Sequence, residues 1–307
     1  MSTVTLNNGL SMPLVGLGTW KSNPGEVSAS VYEAIRVGYR HIDAAWVYKN
    51  QDEVGEGIHR AISEGIIKRE DVWVTSKLWN DKHAKEDVEA SLRETLSQLK
   101  LDYLDLFLIH WPATGVEGET LTPPYSETWA AMEGLVEKGL TRTIGVSNMT
   151  VKKLEAMKAY AKIQPAVNQV EMHPLLRQDA LLDYCRANSI HVTAYSPLGS
   201  GDSASMFGHS GTSLLQHAVV QKIATEVGKS AGQVLLRWGL QHGSSVIPKS
   251  VTPSRILENL QVQDWALSME QCGELSALEP QVRMIAGSIF INPNGPYKTL
   301  SELWDEE

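Results

Sequence analysis

Four residues with complementary proton chemistry follow three β-like runs within the first 110 residues of the chain. Asp43 and Tyr48 follow the first of these runs, Lys77 lies near the end of the second, and His110 near the end of the third. An ammonium favours a neighbouring phenolate, so we expect Lys77 to lower the pKa of Tyr48 from its ordinary value of about 10. Asp43 would pair with Lys77, and His110 would orient a substrate oxygen. Such a group could deliver a proton to an oxygen.

Each of these residues also has an ordinary structural role when it is considered alone. A lysine after a strand usually extends to solvent, an aspartate can cap a helix, and a lone histidine is more often a satisfied hydrogen-bonding group than a catalyst. The hypothesis therefore depends on a fold that brings the four side chains together.

The elements that would position them alternate regularly along the chain. The β-rich runs are LVGLG, RHIDAA, VWVTSKLW, LDLFLIHW, TIGVSN, AVNQVEMH, IHVTAYSPL and SVIPKS. Helical patterns with apolar residues at three- and four-residue spacing lie between them, including EVSASVYEAIRVG, QDEVGEGIHRAISEG, KEDVEASLRETLSQLK and YSETWAAMEGLVEKG. Eight strands that are too apolar to have a solvated face predict a parallel sheet closed as a (β/α)₈ TIM barrel of about 250 residues. We expect residues 1–307 to form this single domain.

Four segments lie outside the eight strand–helix units of the predicted barrel. An N-terminal β-hairpin is predicted at about residues 4–13, with Asn8 and Gly9 supplying positive φ angles in its turn. The other three are residues 199–213, an extra helix near 268–278 and a C-terminal tail from about 280 to 307.

Other nucleotide and catalytic motifs are weak or missing. GSGDSA at 199–204 fits a dinucleotide-binding fingerprint, but no helical pattern follows it, so we interpret it as a loop. GKS at 228–230 lacks the upstream glycine of a phosphate loop and lies inside a helical pattern. Capping boxes that begin at Ser230 and at Ser268 predict two further helices. No H-E-x-x-H or G-x-S-x-G motif is present, which disfavours metal-dependent hydrolysis and serine acyl transfer, and we expect no metal.

The composition disfavours two classes of partner. A formal charge of -9 disfavours nucleic acid and anionic membranes, which need a basic face. Cys185 and Cys272 fit neither a metal site nor a disulfide framework, and we expect both to be reduced. There is no secretory signal pattern and no apolar run of roughly 20 residues, so a cytoplasmic protein is expected. We also expect a monomer.

In a barrel of this type, catalytic groups lie at the C-terminal ends of the strands. The polar and aromatic residues at the predicted strand ends are Asp43, Lys77, Trp79, His110, Trp111, Ser147, Asn148, Gln169, Glu171, His173, Tyr195, Ser196, Lys249 and Ser250.

The order and spacing of these residues resemble the aldo-keto reductase superfamily. The motifs are GYRHIDAAWVYKNQDEVGEG, TSKLW, DLFLIHWP, IGVSN, NQVEMHP, AYSPLGS and IPKSVTPSRILEN, from about residue 14 to 260. The resemblance implies a barrel that binds NADPH without a Rossmann fold and reduces small aldehydes, such as aldoses, glyceraldehyde-like or aromatic aldehydes, and some ketones. Asp43, Tyr48, Lys77 and His110 fall on the family's catalytic tetrad, with Tyr48 as the general acid.

The resemblance also implies cofactor contacts. Tyr195 would stack on the nicotinamide, Ser147, Asn148 and Gln169 would bond its carboxamide, and residues 199–213 would fold over the pyrophosphate. The 2′-phosphate would be surrounded by Lys249, Ser250, Val251, Thr252 and Arg255, and the adenine would be contacted by Glu258 and Asn259. The full set is Thr19, Trp20, Ser147, Asn148, Gln169, Tyr195, Ser196, Leu198, Ser200, Lys249, Ser250, Val251, Thr252, Arg255, Glu258 and Asn259.

Substrate contacts are expected from Trp20, Trp79, His110 and Trp111, with the tail closing the pocket and Trp304 either lining it or lying on the surface. Two alternatives remain open. A lysine at a barrel strand end can form an imine, so Lys77 could serve a Schiff-base aldolase. The second alternative is an NADPH-sensing or structural protein without turnover, as some members of the family are.

Overall fold

Ten β-strands form a two-stranded hairpin and an eight-stranded parallel sheet in the computed structural model, which describes residues 2–114, 117–200 and 213–306. The hairpin strands are β1 (Thr3–Thr5) and β2 (Ser11–Pro13). The parallel strands are β3 (Leu17–Gly18), β4 (His41–Asp43), β5 (Trp73–Leu78), β6 (Leu106–Ile109), β7 (Ile144–Ser147), β8 (Val167–Glu171), β9 (His191–Tyr195) and β10 (Ser245–Val246). Each lies within one of the eight predicted runs.

The parallel strands pair in chain order from β3 to β10, and the two ends of the sheet meet. Parallel bridges join Val15 to Val246 and Gly18 to Lys249, and the Gly16 amide donates to the Val246 carbonyl at 2.9 Å. Gly18 has no room for a side chain, because a Cβ atom there would lie 2.7 Å from the Ile247 carbonyl oxygen. The predicted (β/α)₈ barrel is therefore confirmed.

Helices follow the strands and cover the outside of the barrel. Their bounds are α1 (Val27–Val37), α2 (Gln51–Ser63), α3 (Lys85–Leu99), α4 (Tyr125–Glu137), α5 (Val151–Met157), α6 (Asp179–Ala187), α7 (Ala218–Val227), α8 (Ala231–His242), α9 (Pro253–Leu260), α10 (Met269–Ser276) and α11 (Leu300–Trp304). The extra helix predicted near 268–278 is α10.

Both predicted capping boxes are present, at the starts of α8 and α10. The GKS sequence lies at a junction, because Gly228 ends α7 with φ +63° and Ser230 caps α8. Its assignment to the inside of one helical pattern was wrong, since a left-handed glycine followed by an N-cap serine divides the pattern into two helices.

The N-terminal hairpin packs on the N-terminal ends of the barrel strands. Leu6 and Met12 form a buried cluster with residues that include Trp73, Leu106 and Val167. In its turn, Gly9 has φ +83° and its amide donates to the Leu6 carbonyl at 2.9 Å. Asn8 does not adopt the positive φ that we expected, because this is a longer loop in which only the glycine is left-handed. The opposite end of the barrel remains available for a site.

Three further observations concern the described part of the chain. None of its helices is long and apolar enough to cross a membrane. Cys185 and Cys272 are both free thiols. Among the residues that the structure describes, no three His, Cys, Asp or Glu side chains are grouped so that they could hold a metal ion.

Candidate active site

A buried ion pair joins the ends of two neighbouring strands. The Lys77 Nζ on β5 lies 2.6 Å from the Asp43 Oδ1 on β4 and donates to the Ala44 carbonyl at 2.9 Å. Gln169 on β8 donates to the other Asp43 oxygen at 2.7 Å. Burial lowers the pKa of Lys77, while the Asp43 carboxylate opposes this shift. Both charged groups are thus held in fixed positions with their partners.

Tyr48 lies in a short 3₁₀ turn, Trp46–Tyr48, which follows β4 and ends at Lys49 with φ +57°. The Lys77 Nζ is 5.2 Å from the centre of the Tyr48 ring. Burial nevertheless raises the pKa of Tyr48 well above its ordinary value, and the nearby Asp43 and Tyr195 act in the same direction. The expected net lowering of this pKa was wrong, because burial outweighs any effect of the Lys77 ammonium, whose charge is paired with Asp43. The phenol is therefore protonated at neutral pH and can act as a proton donor.

His110 follows β6 and faces the Tyr48 ring edge-on, with 5.9 Å between ring centres. It also makes an edge contact of 5.2 Å with Trp79. Burial lowers its pKa well below the ordinary value, and the Lys77 charge adds to this effect. A neutral imidazole has one N–H to donate, and the His110 Nδ1 is buried without a hydrogen-bond partner in the described structure. His110 can therefore orient a neutral oxygen acceptor.

A hydrogen-bonded chain extends from this group across β7, β8 and β9. The Tyr195 hydroxyl donates to the Asn148 Oδ1 at 2.8 Å, and the Asn148 Nδ2 donates to the His110 carbonyl at 3.0 Å. The Ser147 hydroxyl donates to the Gln169 carbonyl at 2.7 Å. The structure thus brings the predicted carboxamide-binding residues into one hydrogen-bonded network with Asp43, Lys77 and His110.

The seam at which the barrel closes carries a second set of predicted residues. Thr19 donates from its hydroxyl to the Asp43 carbonyl at 2.9 Å, and Trp20 follows it with its ring centre 6.4 Å from that of Tyr48. Across the seam, Lys249 is partly exposed and bridges to Gly18. The seam therefore connects the proton-handling group to the start of α9.

Helix α9 begins beside this lysine. Its N-cap, Thr252, makes no side-chain capping bond, Pro253 is the first helical residue, and Arg255 is exposed in the first turn. The Ser250 hydroxyl accepts from the Thr252 amide at 3.1 Å. Val251 lies between them, and Glu258 and Asn259 lie in the last turns of α9. A helix N-terminus with two nearby cations can bind a phosphate group.

The loop after β9 is only partly described. Ser196 and Ser200 both have positive φ, and the Ser200 hydroxyl donates to the Ser196 hydroxyl at 2.5 Å. Leu198 is half-buried between them. The remainder of the predicted pyrophosphate segment and of the GSGDSA motif, residues 201–212, lies outside the described residues.

The aromatic wall of the site comes from three strand ends and the C-terminal tail. Trp111 packs against Phe290 at 4.8 Å and against Trp304 at 5.9 Å between ring centres. Trp304 is buried, and its indole N–H donates to the Ala286 carbonyl at 2.8 Å. Of the two positions expected for Trp304, the structure selects the interior one.

The tail is anchored by contacts that the sequence did not reveal. The Glu171 carboxylate at the end of β8 accepts the amides of Met284 and Ile285, each at 2.8 Å, and contacts the His173 Nε2 at 2.9 Å. The only signal in the sequence was that an apolar strand, of the kind that is buried on both faces, ends in an acidic residue. Asn50 was also missed, although its side chain donates to the Thr19 carbonyl at 2.9 Å.

The sequence is similar to a protein family and to individual proteins of known family. The model of the "Aldo/keto reductase family" matches residues 14–280. The protein "Aldo-keto reductase family 1 member A1" of Bos taurus is 46% identical over 304 residues, covering 95% of this chain and 93% of the relative. "Aldo/keto reductase slr0942" of Synechocystis sp. is 44% identical, covering 100% and 97%.

A solved structure agrees with these relatives. The aldose reductase from Schistosoma japonicum superposes with a TM-score of 0.87 at 39% identity, covering 97% of this chain and 99% of that one. The family match spans most of the sequence and includes all four residues of the proton-handling group. The chain therefore belongs to the aldo/keto reductase family.

Proposed function

We propose that the protein is an NADPH-dependent reductase that converts small aldehydes and some ketones to alcohols. The family supports carbonyl reduction, and one observation carries the finer assignment. A buried Asp43–Lys77 pair lies beside a phenol and an imidazole that are both neutral at physiological pH. These groups provide a proton donor and a hydrogen-bond donor for a carbonyl oxygen, without an exposed charge that would compete for it.

In this proposal Tyr48 donates its hydroxyl proton to the carbonyl oxygen while the His110 N–H orients that oxygen. The raised pKa of Tyr48 ensures that the proton is present at neutral pH. Lys77, held by Asp43, lies near the ring and stabilises the phenolate that remains. Tyr48 is partly exposed, so solvent can return the proton. When bound, NADPH would supply the hydride.

The residues at the ends of β7 and β9 and at the start of α9 fit this cofactor. Ser147, Asn148 and Tyr195 form a polar network beside the proton donor, which suits a carboxamide-bearing ring. At the other end, Lys249 and Arg255 flank the uncapped start of α9, which suits a phosphate. Two cations beside the start of α9 favour NADPH over NADH, because NADH lacks the 2′-phosphate that they would bind.

Replacing the proton donor tests the reaction. We expect Tyr48→Phe to lower aldehyde reduction by roughly 10²–10⁴-fold, the usual contribution of a general acid, while NADPH binding measured by fluorescence quenching is retained. Tyr32→Phe is the matched control, because the Tyr32 hydroxyl bonds Glu64 on the outer surface. Full turnover in Tyr48→Phe would show that another group donates the proton.

The nucleotide assignment has a separate test. The double variant Lys249→Ala/Arg255→Ala should weaken NADPH binding much more than NADH binding in a titration of each nucleotide. Lys158→Ala removes a surface cation that is paired with Glu155 and should alter neither affinity. Equal losses for the two nucleotides would contradict the phosphate site.

The two alternatives make different predictions. A Schiff-base aldolase would need a free Lys77 amine, whereas its Nζ donates to Asp43 and to the Ala44 carbonyl. Borohydride trapping of a substrate on Lys77 would favour that reading. Tight NADPH binding with no turnover over a broad panel of aldehydes would instead indicate a sensor or structural protein.

A further inference from the structure

A cavity of about 280 Å³ lies between the strand-end loops and the C-terminal tail. Trp79, Asn80 and Thr114 contribute to its barrel side, and Ile289, Phe290 and Tyr297 to its tail side. Trp79 is shared with the proton-handling group, because its ring makes the edge contact with His110. The cavity is thus a neighbour of the reacting centre.

Asn80 is the unusual residue of this cavity. Its side chain is buried, with 5% of the residue exposed, and neither its Nδ2 nor its Oδ1 has a hydrogen-bond partner in the described structure. Asn80 begins the short 3₁₀ turn Asn80–Lys82, in which the Lys82 amide donates to the Trp79 carbonyl. Buried amide groups are rarely left unsatisfied, so an unpaired donor and acceptor at a cavity wall call for a ligand or an ordered water.

Thr114 adds a second polar group to the same wall. Its Oγ1 is also buried without a partner among the described residues. Thr114 and Asn80 come from neighbouring strand-end loops, after β6 and β5. An amide and a hydroxyl can each donate and accept a hydrogen bond. Together they complement a group that does both, such as a hydroxyl.

The remaining lining limits the charge and polarity of an occupant. Trp79 and Phe290 pack at 6.3 Å between ring centres, and Ile289 is 74% exposed at the tail side. An exposed isoleucine beside two aromatic rings suits an apolar molecular surface. Among the described residues that line the cavity, Asp81 is the only charged one. A carboxylate would therefore meet only like charge there.

We propose that Asn80, assisted by Thr114, binds a hydroxyl group of the substrate at a position remote from the reacting carbonyl. This inference rests on the proposed reductase function and gives its substrate class: neutral aldehydes with an apolar body and a distal hydroxyl. The aromatic residues contact the body, Asn80 and Thr114 fix the hydroxyl, and Tyr48 and His110 meet the carbonyl. Aldehydes that carry a carboxylate instead are disfavoured by Asp81.

Two sets of three aldehydes, which differ only in the distal group within each set, test this proposal. NADPH oxidation is measured with 4-(hydroxymethyl)benzaldehyde, 4-ethylbenzaldehyde and 4-carboxybenzaldehyde, and with their 3-substituted isomers. For at least one isomer, the wild-type kcat/KM should be roughly tenfold higher for the hydroxymethyl compound than for the ethyl compound. The carboxylate compound should be the poorest of the three.

Variants then assign the preference to the two side chains. Asn80→Leu keeps the approximate size of the side chain and removes both polar atoms, so the hydroxymethyl-to-ethyl ratio should fall to about one. Thr114→Val should lower it about threefold, and Asn80→Gln should recover part of it. Asn23→Leu is the control, because Asn23 bonds Glu26 on the surface. The ratio is measured within each enzyme, so a smaller folded fraction does not alter it.

The outcomes separate this inference from the function on which it rests. If the wild type reduces none of the aldehydes, the reductase function fails and the inference fails with it. If it reduces 4-ethylbenzaldehyde but the ratio is near one, only the inference fails. A ratio that Asn80→Leu leaves unchanged, even with a loss of stability, would show that Asn80 binds a structural water. A preference for the carboxylate would also overturn the proposal.

Discussion

The rim formed by the ends of β4, β5 and β6 and the tail of residues 280–306 surround the same site but are held in different ways. At the rim, Asp43 and Lys77 lie on adjacent strands, fully shielded from water. The tail is held by pairs far apart in the chain, from Glu171 to Ile285 and from Lys153 to Asp305. The proton-handling groups are therefore part of the barrel, whereas the opposite wall is a separately anchored segment. Changes at the two places should separate chemistry from substrate binding.

The largest effect should come from breaking the rim pair. Lys77→Met leaves the buried Asp43 carboxylate without its cation, and we expect a loss of about 3–5 kcal/mol in the free energy of unfolding. Aldehyde reduction should also be lost. Urea denaturation followed by tryptophan fluorescence measures the stability, and NADPH oxidation measures the activity.

A double variant sharpens this prediction. Lys77→Met/Asp43→Leu removes both charges, so it should recover much of the lost stability without recovering turnover. If the single variant costs less than about 1 kcal/mol, the range of an exposed pair, the pair would not have the buried character that the geometry indicates.

The eight strands and their order could be predicted because each apolar run is bounded by clear turn residues. The placement of Asp43, Lys77 and His110 followed from that order, since the C-terminal ends of parallel strands meet at one rim. The positive φ of Asn8 was predicted wrongly, because a hairpin sequence does not fix its loop length. A local sequence pattern is thus sufficient to predict the position of a residue that lies at the end of a single strand.

Two features of the site could not be predicted from local patterns. The pKa of Tyr48 depends on its burial and on the sum of the nearby charges, and pairing with Asp43 offsets the Lys77 charge that the sequence suggested. The two hydrogen bonds from the tail to Glu171 connect residues that are separated by 113 and 114 positions in the sequence. Such contacts follow only from three-dimensional packing, and no spacing rule connects the two segments.

An intermediate effect is expected when the tail loses its inner anchor. The Glu171 carboxylate has two oxygens, each of which accepts a tail amide, and a glutamine offers only one oxygen. Glu171→Gln should therefore cost about 1–3 kcal/mol of stability, the usual effect of an unpaired buried polar group. The KM for aldehydes should rise while the kcat at saturation stays close to that of the wild type, because Tyr48 and Lys77 are untouched.

Steady-state kinetics over a wide range of aldehyde concentrations separate these parameters. Glu155→Gln is the control, since Glu155 is on the surface and bonds Tyr184 and Lys158. A fall in kcat with an unchanged KM would mean that Glu171 acts on the chemistry and would remove the distinction between the rim and the tail.

The smallest effect should come from the outer anchor of the tail. Asp305 accepts hydrogen bonds from Lys153 and Thr150, which hold its pKa below the ordinary value although its burial acts in the opposite direction. The folded pKa is depressed, so this stabilisation is full above about pH 4 and is lost as the pH falls further. Asp305 has φ +52°, a conformation that asparagine tolerates, so Asp305→Asn removes the charge with little backbone strain.

We expect Asp305→Asn to cost about 0.5–1 kcal/mol at pH 7, and less in 1 M salt, because the pair is partly solvated. The tail should also open more often, so trypsin should cleave faster after the exposed Lys298. Asp183→Asn, which breaks an exposed pair with Arg186 on α6, should not change this cleavage. If both variants are cleaved at the wild-type rate, the aromatic contacts of Trp304 hold the tail and the Lys153–Asp305 pair does not.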